Sequence, residues 1–204
     1  MRLFRSQGYD GTTMRAIATE AGVSTGNAYY YFGSKEHLIQ AFYDQMQEAH
    51  GAAVAGAFAE PGFGARLSAV LHAWVDVAAD YHEFAGTFFK NAAEPTSPLS
   101  PFSAESATAR EMSVDLFRRV VDGSDLKVAK GLRGELPELL WLLQMGIVLF
   151  WVYDASPAQR RTRQLIDAVV PIVDKLARLT RLPVVRGVVD DLVALLGRLR
   201  SADM

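Results

Sequence analysis

The chain has 204 residues, half of them hydrophobic, and a formal net charge of −2 at pH 7. This length allows a sizeable hydrophobic core, in one domain or in a small domain joined to a larger one. The sequence contains no cysteine, which excludes disulfides and thiolate chemistry. Four scattered histidines, with no glycine-rich phosphate loop and no paired acid and base residues, argue against an enzyme. We therefore expect a non-enzymatic, cytoplasmic protein without a cofactor.

The segment 12–38, TTMRAIATEAGVSTGNAYYYFGSKEHL, predicts two short helices separated by a tight turn. Its first half repeats apolar residues on one helical face: Met14, Ile17, Ala18 and Ala21. This pattern predicts a helix over 13–21, with a threonine at position 12 or 13 as its cap. Gly22 suits the left-handed conformation that ends a helix, and Ser24 or Thr25 can cap the next one. Two helices joined in this way are typical of a DNA-binding helix-turn-helix.

The second of these helices has an unusual run of aromatic residues. Its inward face is predicted to contain Ala28 and Phe32, which are four residues apart. Its outward face is predicted to contain Gly26, Asn27, Tyr30 and Tyr31. A tyrosine hydroxyl can donate to a phosphate oxygen, and glycine lets the backbone approach a groove closely. The alternative is that the tyrosines pack at a helix junction.

The next predicted helix, over 35–58, begins with an unexpected charge. Ser34 is a good N-cap, but Lys35 places a cation in the first turn, where the helix dipole favours an anion. This placement is explained if a DNA phosphate docks at the same helix terminus. The alternative is a solvated surface lysine.

The stretch GYDGTTMRAIATEAGVSTGNAYYYFGSKEHL resembles the N-terminal DNA-binding domain of TetR-type transcriptional regulators. The resemblance implies an all-α homodimer with a three-helix helix-turn-helix domain over 1–46, its first helix truncated, and a helical effector-binding and dimerisation domain over 47–204. It further implies a ligand-responsive, sequence-specific regulator that binds double-stranded DNA. The usual member is a repressor released from its operator by a small effector, here a hydrophobic one.

The family pattern also assigns DNA contacts when it is carried over position by position. It places four residues on the DNA backbone: Thr13, Tyr30, Tyr31 and Lys35. It places three near base edges, namely Thr25, Gly26 and Asn27, and makes Arg15 a weaker candidate. None of the base-facing positions is an arginine or lysine that could bind guanine with two hydrogen bonds, so we expect a modest contribution from direct readout.

Helical periodicity continues through the rest of the chain. We expect helices over 64–81, around Phe84, Phe88 and Phe89, after a Pro/Ser-rich loop at 94–103, and over 136–154, 157–181 and 184–200. The apolar segment 139–153 is shorter than the roughly 20 residues that span a bilayer, so we expect a buried helix and no membrane contact. The resemblance makes the helices near 136–154 and 157–181 the expected dimer interface; burial within one subunit is the alternative.

The effector site is implied by the resemblance, and the sequence offers only candidates for its lining. These are aromatic or flexible apolar residues: Trp74, Phe88, Phe89, Phe102, Trp141 and Met145. Each of these residue types is more often found in a core than in a ligand site. His72, Asp76 and Asp80 recur every four residues, which fits a solvated helix face better than a metal site, so we expect no metal.

The charge of the N-terminal region favours a second reading. Residues 1–50 contain four Lys or Arg against five Asp or Glu, whereas DNA-binding domains usually show a basic surface. The alternative function is therefore a ligand-sequestering or partner-binding helical protein whose DNA-binding region is weak or a relic.

Overall fold

The computed structural model describes residues 2–201, and these residues form helices, turns and loops with no β-strand. The helices in chain order are α1 (Arg2–Gly11), α2 (Met14–Glu20), α3 (Thr25–Tyr31), α4 (Lys35–Ala53), α5 (Phe63–Ala78), α6 (His82–Ala92), α7 (Ala107–Asp122), α8 (Lys130–Val152), α9 (Arg160–Leu179) and α10 (Arg186–Ser201). The predicted all-α fold is confirmed.

The chain divides into two compact units. The first comprises Met1–Ala49 with Val77–Met112, and the second comprises His50–Asp76 with Ser113–Met204. Three helices, α4, α5 and α7, therefore begin in one unit and end in the other. This division groups residues 77–112 with the N-terminal ones, whereas the sequence placed a functional boundary after residue 46; that boundary stays a prediction.

The core of the first unit joins α1 to α4 and α6. Its buried residues are Phe4, Tyr9, Ile39, Phe84, Phe88, Ala92 and Leu99. The rings of Phe4 and Phe84 lie 5.8 Å apart, and those of Phe84 and Phe88 are stacked at 5.2 Å. Within α1, Gly8 has a positive φ of 72°, which breaks the helical conformation and which glycine adopts without steric cost. The short α1 thus closes one side of this core.

Several helix boundaries differ from the predicted ones. α4 ends at Ala53 rather than near 58, because a 3-10 turn over Ala55–Ala59 follows it. α7 begins at Ala107 because the Ser103 hydroxyl caps an earlier turn, accepting from Ser106 N at 3.2 Å. α8 begins at Lys130, six residues earlier than predicted, with Pro137 inside it.

The start of α9 is built around Asp154, which is only 4% exposed. One carboxylate oxygen accepts from Ser156 N at 2.9 Å and from the Ser156 hydroxyl, and the other accepts from Thr162 N and the Thr162 hydroxyl, both at 2.8 Å. Burial alone would raise the pKa of the Asp154 carboxyl, but these hydrogen bonds hold it well below its usual range. Ala158 and Gln159, which lie between Ser156 and Thr162 in the chain, adopt left-handed φ values of 52° and 50° respectively. Asp154 therefore caps a helix that begins at Arg160.

In the second unit, α8 packs against α9 and α10. The buried residues of α9 are Thr162, Ile166, Val170 and Ala177. Large apolar side chains stay at the surface of both helices: Leu142, Leu149 and Phe150 on α8, Tyr153 directly after it, and Ile172, Leu176 and Leu179 on α9. We call these seven residues the α8–α9 apolar surface.

Within residues 2–201, the segment Gly131–Val152 of α8 is long and apolar enough to cross a membrane, judged by length and composition. It is longer than the apolar run seen in the sequence because α8 starts early. The segment includes Arg133, Glu135 and Glu138, and the core helix of a globular protein meets the same criterion. This is weak evidence for a membrane role.

Candidate nucleic-acid interface and buried polar core

Local hydrogen bonds form the two short helices and the turn between them. The Thr13 hydroxyl accepts from Ala16 N at 3.2 Å and caps α2, and the Ser24 hydroxyl accepts from Asn27 N at 3.1 Å and caps α3. Gly22 adopts a left-handed φ of 69° after α2, as predicted. The geometry is that of a helix-turn-helix.

The inward faces of α2 and α3 pack on each other. Met14, Ala18 and Ala28 form a buried cluster, and Phe32 packs against its edge. This confirms Ala28 and Phe32 as the inward positions. The contact fixes which side of α3 faces the solvent.

The outward face of α3 consists of uncharged residues. Thr25, Gly26 and Asn27 are exposed in its first turn, and Tyr30 and Tyr31 are 82% and 70% exposed in its last. The two tyrosine rings meet edge to face at 5.2 Å. Tyrosines this exposed do not serve as packing residues within the described chain, so they are available to an external partner.

Two further predicted DNA contacts, Thr13 and Arg15, lie in the first turn of α2 and its cap. Both residues are exposed. The Thr13 hydroxyl oxygen accepts the hydrogen bond that caps α2. Its O–H hydrogen therefore stays able to donate to a phosphate. Arg15 is the only Lys or Arg within α2 and α3.

Lys35 has a role inside the protein that the sequence did not reveal. Its ammonium donates to Tyr9 O at 2.8 Å and to Thr12 O at 3.3 Å, and it lies 4.0 Å from the centre of the Tyr9 ring. The cation thus binds carbonyl groups at and just after the end of α1, where helix carbonyls lack their usual intrahelical donors. This accounts for a lysine in the first turn of α4 without a bound anion. The predicted phosphate contact of Lys35 stays a prediction.

Glu36 completes this connection between α1 and α4. The Tyr9 hydroxyl donates to a Glu36 carboxylate oxygen. Burial and this hydrogen bond raise the pKa of Tyr9. Burial opposes ionisation of Glu36, but the hydrogen bonds from Tyr9 and Ser34 outweigh it and lower the pKa of that carboxyl. Both groups therefore keep their hydrogen-bonding forms at neutral pH.

A buried polar residue in the second unit was not among the site residues predicted from the sequence. Gln144 is 1% exposed on α8, and its Oε1 accepts a long hydrogen bond of 3.5 Å from the Ser113 hydroxyl on α7. Its Nε2 has no hydrogen-bond partner within the described residues. The signal was in the sequence, since Gln144 is the one polar side chain in the apolar run 139–153.

Two residues of the row His72, Asp76 and Asp80, on and after α5, contact polar side chains of α9. His72 Nε2 lies 2.9 Å from an Asp167 oxygen, and an Arg163 nitrogen lies 2.7 Å from Asp76. No group of three or more potential metal ligands occurs in the part of the chain that the structure describes.

Comparison with known families agrees with this architecture. Residues 66–195 match the family model described as "Tetracyclin repressor-like, C-terminal domain", and residues 1–42 match "Bacterial regulatory proteins, tetR family". The chain belongs to the TetR family. Members of the TetR family are non-enzymatic, DNA-binding transcriptional regulators with a helix-turn-helix.

Individual TetR family members resemble the chain over different lengths. It is 41% identical over 49 residues to the HTH-type transcriptional regulator TtgR of Pseudomonas putida, a match that spans 23% of that protein and 24% of this chain. A regulatory protein of the tetR family from Rhodococcus RHA1 is similar in structure, with a TM-score of 0.57, 21% identity and coverage of 86% of this chain and 91% of that one. The regulator PfmR from Thermus thermophilus gives a TM-score of 0.56 and 16% identity, covering 82% of this chain and 89% of that one. These structures show a shared fold.

The six residues predicted to line a TetR-type effector site divide between the two units. Phe88 belongs to the core of the first unit, Phe89 is half-buried on the same helix, and Phe102 is 61% exposed on the loop before α7. Trp74, Trp141 and Met145 belong to the second unit, where Trp141 is buried and the other two are half-buried. The second set stays the better candidate for a ligand site, because Phe88 is already engaged in packing.

Proposed function

We propose that the protein is a sequence-specific transcriptional regulator that represses transcription and leaves its operator when it binds a small hydrophobic effector. The observation that supports this most directly is the exposure of Tyr30 and Tyr31 beside Thr25, Gly26 and Asn27. Phenol hydroxyls can donate to phosphates while the short residues approach base edges. Such a protein works in the cytoplasm, where the DNA is.

The α8–α9 apolar surface supports a homodimer that forms through α8 and α9. Leu142 and Leu149 on α8 and Tyr153 directly after it recur at helical spacing, and on α9 Ile172 and Leu176 do the same. An exposed apolar stripe on each of two packed helices is typical of a surface that a second copy covers. Pairing with the same helices of a partner gives the four-helix arrangement expected of the family.

Effector control requires only a change in the distance between the two α3 helices of the dimer. Half-sites on DNA are about 34 to 36 Å apart, and both must be contacted together. A ligand that binds one conformation of the effector-binding domain better than the other shifts the population towards the conformation that it binds better. Moving the two α3 helices of the dimer by a few Å relative to each other would then release the operator.

The test is a fluorescence-anisotropy titration of the full-length protein against duplex DNA from its own upstream region and a scrambled duplex. We expect tighter, salt-sensitive binding to the native duplex. Equal and weak binding to both duplexes would contradict the proposal. Lys35 is not a clean probe, because its removal would also disturb α1.

Replacing Tyr30 by phenylalanine tests the predicted DNA-contacting face of α3 without changing how α3 packs. Only the hydroxyl is lost, so each half-site loses one phosphate hydrogen bond of about 1 kcal/mol. Over the dimer we expect operator affinity to fall by about 30-fold, measured by the same titration. The fold and the dimer should be unchanged in circular dichroism and sedimentation.

Tyr29→Phe is the matched control, since it makes the same change on the same helix at a position with no assigned DNA contact. It should leave operator affinity within about twofold. An equal loss in both variants would mean that the hydroxyls act through the helix itself, and no loss in Tyr30→Phe would remove Tyr30 from the interface.

A second function is favoured by the charge of the same region. Lys35 donates to backbone carbonyls, and residues 1–50 have more acidic than basic residues. A ligand-sequestering or partner-binding protein with a weak DNA-binding region would have these properties. Equal binding to the native and scrambled duplexes is the result that would support it.

A further inference from the structure

One face of α8 combines two indole rings with an amide. Trp141, Gln144 and Trp151 lie three and seven residues apart, a spacing that puts them on the same side of a helix. Their exposed fractions are 4%, 1% and 3%. A polar side chain therefore lies inside an aromatic stretch of the second unit's interior.

The amide of Gln144 is poorly satisfied for a group so deeply buried. Its oxygen has the long bond from Ser113, and its Nε2, which has two hydrogens to donate, has no acceptor within the described residues. Burying an amide without partners lowers stability, so buried polar groups in native proteins are normally paired. A methionine or leucine would pack in its place without that cost.

Among the described residues, the buried charged side chains of the second unit are Arg66 and Asp154, and both already have hydrogen-bond partners of their own. Ser113 and Gln144 are neutral, and His50 is 1% exposed with Nε2 at 2.8 Å from Val70 O. Burial lowers the pKa of His50 although the hydrogen bond to Val70 opposes the shift, so the ring is neutral at pH 7. Its Nδ1 also lacks a partner in the described chain. An ionic ligand would find no counter-charge among these three side chains.

The aromatic residues of this region favour a ligand of a particular shape. The rings of Trp74 and Trp151 meet edge to face at 5.1 Å with an interplanar angle of 79°. Trp74 is half-buried, so this pair extends from the interior towards the surface of the second unit. Indole rings favour flat partners, with which they stack or meet edge to face.

We propose that Gln144 is the polar recognition residue of the effector site, and that the effector is a neutral, flat, mainly apolar molecule with a hydrogen-bond acceptor such as a ketone oxygen. The ligand's acceptor takes the hydrogen bond of Gln144 Nε2, and the tryptophans contact its apolar body. This inference rests on the proposed function, because it names the chemistry of that function's effector.

The test titrates 6-propionyl-2-(dimethylamino)naphthalene, a neutral flat ketone, into the full-length protein and into the Gln144→Met variant. The emission of this probe shifts to longer wavelength when its carbonyl accepts a hydrogen bond. We expect saturable binding to the unaltered protein and about tenfold weaker binding to the variant, with emission at shorter wavelength, because one hydrogen bond is lost. The affinity of 2-ethylnaphthalene, which has no acceptor, is measured by its competition with the probe. It should differ by less than about twofold between the unaltered protein and the variant.

Thermal unfolding without ligand gives an independent readout. Methionine has nearly the shape of glutamine and no unpaired donor, so Gln144→Met should keep or raise the Tm. Gln164→Met, at an exposed position on α9, is the control and should change neither the Tm nor probe binding. A lower Tm in Gln144→Met would assign Gln144 a structural role and overturn the proposal.

Equal affinity of both proteins for the ketone, or no saturable binding by the folded unaltered protein, would also overturn it. The operator titration separates this result from failure of the proposed function. Specific DNA binding together with a negative ketone titration would reject only the assignment of Gln144 and its ligand class.

Discussion

Replacing Leu149 and Leu176 together by aspartate is expected to convert the protein from a dimer into a monomer. The two side chains are 45% and 59% exposed in the single chain, on α8 and α9 respectively. In the proposed dimer each lies in an apolar contact on both protomers, so the variant would bury four carboxylates without cationic partners. Uncompensated buried charges are among the costliest changes that an interface can undergo.

We expect the dimer dissociation constant to rise at least about a thousandfold, which corresponds to roughly 4 kcal/mol. Sedimentation velocity across a range of concentrations measures this change. Operator binding should fall with it, because one half-site alone supplies a small part of the affinity. Circular dichroism should show unchanged helix content, since both side chains already face solvent within one chain.

Phe102→Asp is the matched control for the dimer experiment. Phe102 is 61% exposed on the loop before α7, outside the two proposed interface helices. Its replacement should leave the dimer intact. A double variant that stays dimeric would place the interface elsewhere and remove the main reason for reading the α8–α9 apolar surface as self-complementary.

Replacing Asp154 by alanine is expected to lower the free energy of unfolding by about 3 kcal/mol. The change removes the acceptor of two backbone N–H groups, those of Ser156 and Thr162, and of two hydroxyls. A lost helix cap costs about 1 kcal/mol, and each buried donor left without a partner adds about 1 to 3 kcal/mol. For a chain of this length the Tm should fall by roughly 6 to 12 °C in calorimetry.

The effect of Asp154 on stability should depend on pH in a defined direction. Its pKa is lower in the folded chain than in the unfolded one, where it is about 3.9. The stabilisation is therefore fully present above about pH 5 and is lost as the pH falls below the unfolded value. The Tm difference between the unaltered protein and Asp154→Ala should be constant from about pH 5 to 7 and should narrow below about pH 4.

Asp115→Ala is the control for this experiment, because Asp115 is an exposed residue paired with Arg118 on α7. Surface ion pairs contribute less than about 1 kcal/mol, so its Tm should stay within a few degrees. A similar small change in Asp154→Ala would show that α9 does not depend on this cap.

The helix-turn-helix could be predicted closely because its determinants are local. Thr13, Gly22 and Ser24 act within three residues of themselves, and each residue type has few alternatives at a cap or a left-handed turn. The inward position of Ala28 followed from helical spacing alone. Here the residues that form the sequence pattern are the same residues that determine the local geometry.

Features that depend on distant residues could not be predicted in the same way. The bond from Lys35 to Tyr9 O joins positions 26 residues apart, and no periodicity reports it. The helix was predicted to begin at Pro157, and a 3-10 turn does begin there. The α-helix itself begins at Arg160, where the Ser156 hydroxyl accepts from Arg161 N and the distant Asp154 carboxylate accepts from Thr162 N. Left-handed Ala158 is equally invisible in the sequence, because alanine normally avoids that conformation.

The candidate effector residues illustrate a further limit. Aromatic residues on amphipathic helices fill cores and line ligand sites with the same periodicity, so Phe88 could not be distinguished from Trp141 before its packing against Phe84 was known. Gln144 could be noticed in its apolar run, but its unpaired Nε2 is a property of the folded chain.

The uncharged face of α3 has a consequence for how such a regulator would share the chromosome with other DNA. Nonspecific affinity for DNA comes mainly from cations that replace counterions along the phosphate backbone. A reading helix of threonine, glycine, asparagine and tyrosine adds little to that background attraction. Fewer molecules would then be held on the vast excess of unrelated sequence, so a small number of copies per cell would suffice to keep one operator occupied.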